Sequence, residues 1–163
     1  MRGLAAAALV AAFDQFTKGE IFARFGVASS HELVPGLSIS TGFNTGIAFG
    51  IGTGLSPWLL VTVGVAIAAA LLILMIKAET AMHSLGLGAV IGGAAGNVID
   101  RLRFHHVRDF IDVYVGQWHW PAFNLADSFI FVGVVLLLIP TRSGQPPRGA
   151  GASAASSSPD RLQ

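Results

Sequence analysis

Between Trp58 and Ile76 the chain runs for 19 residues without a charged side chain. At ~1.5 Å rise per residue such a helix reaches about 28 Å, close to the ~30 Å hydrocarbon core of a bilayer. A helix satisfies its own backbone polar groups in that medium, and Trp58 stands at its start as an interfacial anchor. Composition agrees: 53% of the 163 residues are hydrophobic and 12% charged, with a mean hydropathy of +0.66. That is too apolar for an ordinary soluble domain, and one membrane domain accounts for the length. A formal net charge of +1 offers no basic surface for nucleic acid. The absence of cysteine excludes disulfides, thiolate nucleophiles and Cys-ligated metals.

Three more apolar segments follow the same logic with complications. Arg2 and the run Leu4 to Phe13 imitate a signal peptide, with Val10-Ala11-Ala12 as a small-residue cleavage site. Cleavage there would remove the first span. If the helix instead continues, it carries Asp14 and Lys18 into or to the edge of the bilayer, four apart on one face with the acid before the base. Ala81 to Ile99 is a second run of 19, in which Gly88, Gly92 and Gly96 recur every four residues. Small residues at that spacing let a neighbouring helix approach closely. The last run, Phe129 to Ile139, spans only if it is extended back to Pro121, which places Asn124 and Asp127 in its outer part on a shared face. Four spans put both termini on one side. Lysine and arginine divide five against five between the two sides, so charge does not orient the chain.

The connecting segments carry the polar chemistry. Gly26 to Gly54 reads as an extramembrane loop with a turn at Pro35-Gly36 and strand-like alternation in Leu37 to Ser40. Its Asn44-Thr45-Gly46, between aromatics, reads on the residues alone as a turn, with a site as the alternative. Phe104 to Trp120 reads as a second loop. Asn97, Asp100 and Arg101 share a face where the third helix leaves the membrane, either as a site or as an interfacial Asp–Arg pair. The adjacent His105 and His106 cannot both address one ion from a regular element, so neither a metal nor a cofactor is expected. Beyond Pro140 the chain turns to Gly, Ser, Ala, Pro and Arg, giving a membrane domain over residues 1–140 and a disordered tail over 141–163.

Four carboxylates, Asp100, Asp109, Asp112 and Asp127, lie where apolar runs meet water. Ionisable groups at such depth point to a functional site. Asp109 and Asp127 come to one membrane face on the four-span arrangement. Two close carboxylates in a low-dielectric site cannot both ionise easily, so one keeps a proton and the pair can run acid–base hydrolysis. No G-x-S-x-G or H-E-x-x-H is present to support another hydrolytic machinery. The same inventory of Asp, Lys and Asn suits a small proton-coupled transporter, although no inverted repeat is visible. It also suits a membrane scaffold.

Five blocks carry a family resemblance: D-Q-F-T-K (Asp14 to Lys18), F-N-T-G-I-A-F (Phe43 to Phe49), G-G-A-A-G-N-V-I-D-R (Gly92 to Arg101), V-R-D-F (Val107 to Phe110) and F-N-L-A-D-S (Phe123 to Ser128). In this order and spacing the chain resembles the lipoprotein signal peptidases, the bacterial signal peptidase II family. The resemblance implies an all-α membrane protein with four transmembrane helices and a small periplasmic β-cradle, in the bacterial inner membrane with cytoplasmic termini. It implies an aspartyl endopeptidase that removes the signal peptide of a prolipoprotein just before its diacylglyceryl-modified cysteine. Asp109 and Asp127 match the family's catalytic dyad. Asp14, Lys18, Asn44, Gly46, Gly93, Asn97, Asp100, Arg101, Asn124 and Ala126 match its supporting positions. Diacylglyceryl-modified prolipoproteins and the lipid bilayer are the implied partners, and globomycin-type peptides the expected inhibitors.

Overall fold

A computed structural model describes residues 1–46 and 54–140. The chain orders as α1 (Arg2–Phe25), β1 (Ser30–Val34), β2 (Leu37–Asn44), α2 (Pro57–Ile76), α3 (Ala81–Phe104), β3 (Val107–Val115), β4 (Trp118–His119) and α4 (Leu125–Leu138). The strands form one antiparallel sheet in the order β1-β2-β3-β4. Both sheet segments lie between consecutive helices, β1–β2 after α1 and β3–β4 after α3, and so meet at one end of the helix group.

The central element is α3, which packs against α1, α2 and α4. Its glycines make that possible. A methyl group on Gly92 would sit 2.5 Å from the carbonyl oxygen of Ala7 in α1, and one on Gly86 3.0 Å from the Gly133 carbonyl in α4. Gly88, Gly92 and Gly96 all face α1, as their four-residue spacing predicts, so the backbones touch directly. We expect Gly92→Ala to drive a Cβ into backbone that cannot rotate away. Overpacking of this kind costs about 1–3 kcal/mol, read as a lower Tm of the detergent-solubilised protein; an unchanged Tm would contradict the tight α1–α3 contact.

By contrast α2 lies on the outside. Only 11% of its most apolar stretch is buried, against 44% for α3. Both helices are long and apolar enough to cross a membrane. Exposed Leu9, Phe16, Val63, Ile73 and Phe131 continue the apolar surface over α1, α2 and α4, a distribution that suits lipid rather than water.

Two expectations are corrected. The last helix does not extend back to Pro121. It starts at Leu125, because Asn124 leaves the helical conformation (φ −132°) and caps it. Phe104 to Trp120 is not simply a loop, since Val107–Val115 forms β3. Alternation is hard to see there because Asp109 and Asp112 are buried alongside Val107 and Phe110. The tail over 141–163 and the end of the F-N-T-G-I-A-F block lie outside the described residues.

Candidate active site

The site begins at the first turn of α4, which has four backbone N–H groups without helical partners. Asn124 and Asp127 form a capping box: the Asn124 side chain accepts from the Asp127 N–H at 3.1 Å, and the Asp127 carboxylate accepts from the Asn124 N–H at 3.2 Å. With its oxygen committed to the cap, the Asn124 amide must point its Nδ2 outward. That nitrogen donates to Asp109 Oδ1 at 2.7 Å and to Asn97 Oδ1 at 3.2 Å. One asparagine thus ties the carboxylate of β3 to the carboxylate of α4.

Asn97 on α3 is oriented by a similar constraint. Lys18 can only donate, and its Nζ lies 3.0 Å from Asn97 Oδ1, so the Asn97 Nδ2 faces the other way and donates to Asp127 Oδ1 at 2.8 Å. The other oxygen of Asp109 accepts from Asn44 Nδ2 at 3.1 Å. The Asn44 oxygen accepts from the Gly46 N–H at 2.9 Å, closing an Asx-turn. Asn44-Thr45-Gly46 is thus a turn, and the same Asn44 side chain reaches Asp109. Arg101 Nη2 then donates to the Gly46 carbonyl at 2.8 Å, holding that turn against α3.

Beneath these groups lies a buried ionic cluster. Lys18 Nζ pairs with Asp14 at 2.8 Å and Asp100 at 3.5 Å, and all three side chains are fully enclosed. The second Asp14 oxygen accepts from the Ala126 N–H at 2.9 Å, joining α1 to the first turn of α4. Gly93 keeps α3 close enough for this, since any Cβ there would fall on the Ala126 carbonyl. No buried side-chain nitrogen or oxygen among the described residues lacks a hydrogen-bond partner.

All twelve positions matched in the sequence converge here, from α1, β2 and the turn after it, α3, β3, and α4 with its cap. Two questions left open by the sequence are answered by the fold. Asp100 does not pair with Arg101 but with Arg108, at 2.7 Å. Asp112 is separate from the cluster and holds His119 at 3.0 Å on the β3–β4 hairpin. Gln15 and Arg108 contribute directly to the cluster although sequence reasoning passed over both.

Electrostatics separates Asp109 from an ordinary carboxylate. Burial, reinforced by the negative charge of Asp127, pushes its pKa up to about 6, against the pull of the Asn124 and Asn44 hydrogen bonds. A carboxyl that stays protonated to that pH beside a second carboxylate is the arrangement of an acid–base hydrolase.

Comparison with known proteins gives this class its family. The family model described as signal peptidase (SPase) II matches residues 6–142. Lipoprotein signal peptidase of Burkholderia thailandensis is 42% identical over 134 residues, spanning 80% of this chain and 81% of the relative. The enzyme of the same name from Paraburkholderia phymatum is 42% identical over 139 residues, spanning 83% and 84%. Two solved structures of a bacterial membrane enzyme superpose with TM-scores of 0.76 and 0.73 at 32% and 33% identity, covering 83% of this chain in both cases and 84% and 89% of theirs. The chain belongs to the signal peptidase II family and is a peptidase.

Proposed function

We propose that Asp109 and Asp127 are the catalytic dyad of an aspartyl endopeptidase that cleaves diacylglyceryl-modified prolipoproteins immediately before the lipidated cysteine. The observation that carries this reading is the pair of carboxylates bridged by Asn124, one of them with a pKa raised to about 6. Family membership and the relatives named lipoprotein signal peptidase support the substrate class. Neither favours a proton-coupled transporter or a scaffold.

In the cycle, Asp109 holds the proton and Asp127 is the base. Asp127 takes a proton from water as the water oxygen attacks the scissile carbonyl, and Asp109 gives its proton to the carbonyl oxygen. Collapse of the resulting diol breaks the C–N bond: Asp127 returns its proton to the leaving nitrogen while Asp109 recovers one from the diol. Both groups end as they began, and no covalent enzyme intermediate forms.

The four helices span the bacterial inner membrane with cytoplasmic termini, and the sheet and dyad lie at the periplasmic face. Support comes from the topology, which gathers both sheet segments and the polar cluster at one end of the helices. Residues 1–140 are the peptidase domain. Globomycin-type peptides would act by occupying the dyad.

The substrate class is tested by incubating the purified protein in detergent with one prolipoprotein, either diacylglyceryl-modified or carrying a free cysteine, and following the gel shift. Cleavage confined to the lipidated form is expected; equal cleavage of both, or of neither, would refute it. A pH series tests the proton assignment. Because kcat/KM reports groups of the free enzyme, it should fall as pH rises through about 6, where Asp109 loses its proton. Asn44→Ala removes a donor that favours the charged form, so the fall should move to higher pH. A fall that does not move would contradict Asp109 as the proton holder.

A further inference from the structure

Arg108 takes no part in the cycle above, yet it adjoins Asp109 and its side chain leaves β3 on the opposite side, as successive strand residues do. Its contacts converge on one carboxylate. The Arg108 backbone N–H donates to Asp100 Oδ2 at 3.0 Å, its Nε to the same oxygen at 3.2 Å, and its Nη2 to Oδ1 at 2.7 Å. Nη2 also donates to Gln15 Oε1 at 3.3 Å, while Gln15 Nε2 donates to Asp100 Oδ1 at 2.9 Å and to the Gly96 carbonyl at 3.0 Å. The guanidinium lies 4.6 Å from the Phe104 ring centre and 6.0 Å from that of Phe22. Main chain and side chain of one residue thus grip the last turns of α3, and Gln15 braces the grip from α1.

The guanidinium supplies the second cation for the two carboxylates Asp14 and Asp100, but charge balance alone does not require three hydrogen bonds from one residue to one carboxylate. The consequence of this grip is positional. Val107, Arg108 and Asp109 of β3 face Asn44, Phe43 and Gly42 of β2, so the start of β3 moves with Asn44 if it moves at all. Asn124 caps α4, and its neighbour Phe123 bonds Phe110 and Ile111 of β3, so the strand is held to Asn124 from Phe110 onward. Asp109 is the first residue outside that anchor, and slack at Arg108 falls on it and on its bond to Asn124, the bridge between the two carboxylates.

We propose that Arg108, braced by Gln15, is a positioning residue that pins β3 to the end of α3 and so sets Asp109 against Asn124 and Asp127. The inference rests on Asp109 and Asp127 being the dyad. It separates geometry from charge, since lysine keeps the cation but cannot reproduce a planar two-pronged contact.

The test is steady-state cleavage of the lipidated precursor by wild type, Arg108→Lys, Arg108→Met and Gln15→Ala, with Asp109→Asn as the control. Small misplacement of a reacting group lowers turnover by up to about a hundredfold, so kcat should fall about tenfold in Arg108→Lys and further in Arg108→Met. KM should stay near the wild-type value, and dilute free guanidinium should restore part of the Arg108→Met rate. Gln15→Ala should show a smaller loss of the same kind. Should Arg108→Met fail to fold, Arg108→Lys and Gln15→Ala decide. Wild-type kcat in these variants overturns the positioning role whatever the control does. An active Asp109→Asn overturns the dyad reading, and this inference with it.

Discussion

Replacing Lys18 with methionine is expected to cost the protein a large share of its stability. Lys18, Asp14 and Asp100 are each fully buried, and Lys18 is the cation between the two carboxylates. Removing one partner of a buried ion pair costs about 3–5 kcal/mol, because the other is left enclosed and uncompensated. Set against a typical stability of about 5–15 kcal/mol, that is a large share of the total. The damage also reaches the site, because Asn97 loses one of the two donors that orient its amide toward Asp127. Yield and Tm in detergent measure the effect. Lys18→Met/Asp14→Asn, which removes a charge of each sign, should recover part of the lost Tm. A single variant as stable as wild type would show that the cluster is not the anchor of α1.

Much of this organisation is legible in the sequence. The uncharged run ending at Ile76 became α2 almost to the residue, since apolarity over that length leaves a helix little competition. The four-residue glycine repeat implies that some helix packs closely on α3, and the fold shows that helix to be α1. What stayed hidden depended on partners distant in sequence or on side chains that override local pattern. The start of α4 was misplaced by four residues, because hydropathy cannot show that Asn124 spends its side chain on a cap. β3 reads as a loop because its charged residues are satisfied by α1, α3, the cap of α4 and the neighbouring strands rather than by water. The sequence leaves an Asp100–Arg101 pair open as an alternative because the two residues share a helix end, whereas Arg108, beyond the end of α3, is the arginine that reaches Asp100. Asp112 resembled the other three aspartates in sequence, and only the fold shows it paired with His119 on the hairpin.

The second large effect falls on the chemistry. Asp109→Asn and Asp127→Asn each keep the shape of the side chain and remove its ability to exchange a proton. General acid–base catalysis contributes about 10²–10⁴-fold per group, so each variant should lose cleavage to near the limit of detection. Folding should survive. An asparagine at 127 can still accept through its side-chain oxygen, and one at 109 can still accept from Asn124 through its own. Asp112→Asn is the matched control, a buried carboxylate on the same strand as Asp109 but bonded to His119.

The most direct measurement is therefore a side-by-side cleavage assay of wild type, Asp109→Asn, Asp127→Asn and Asp112→Asn on diacylglyceryl-modified prolipoprotein, with Tm recorded for each. The dyad account predicts that wild type and Asp112→Asn cut, while folded Asp109→Asn and Asp127→Asn do not. Cleavage by either folded dyad variant at a rate near wild type would contradict it.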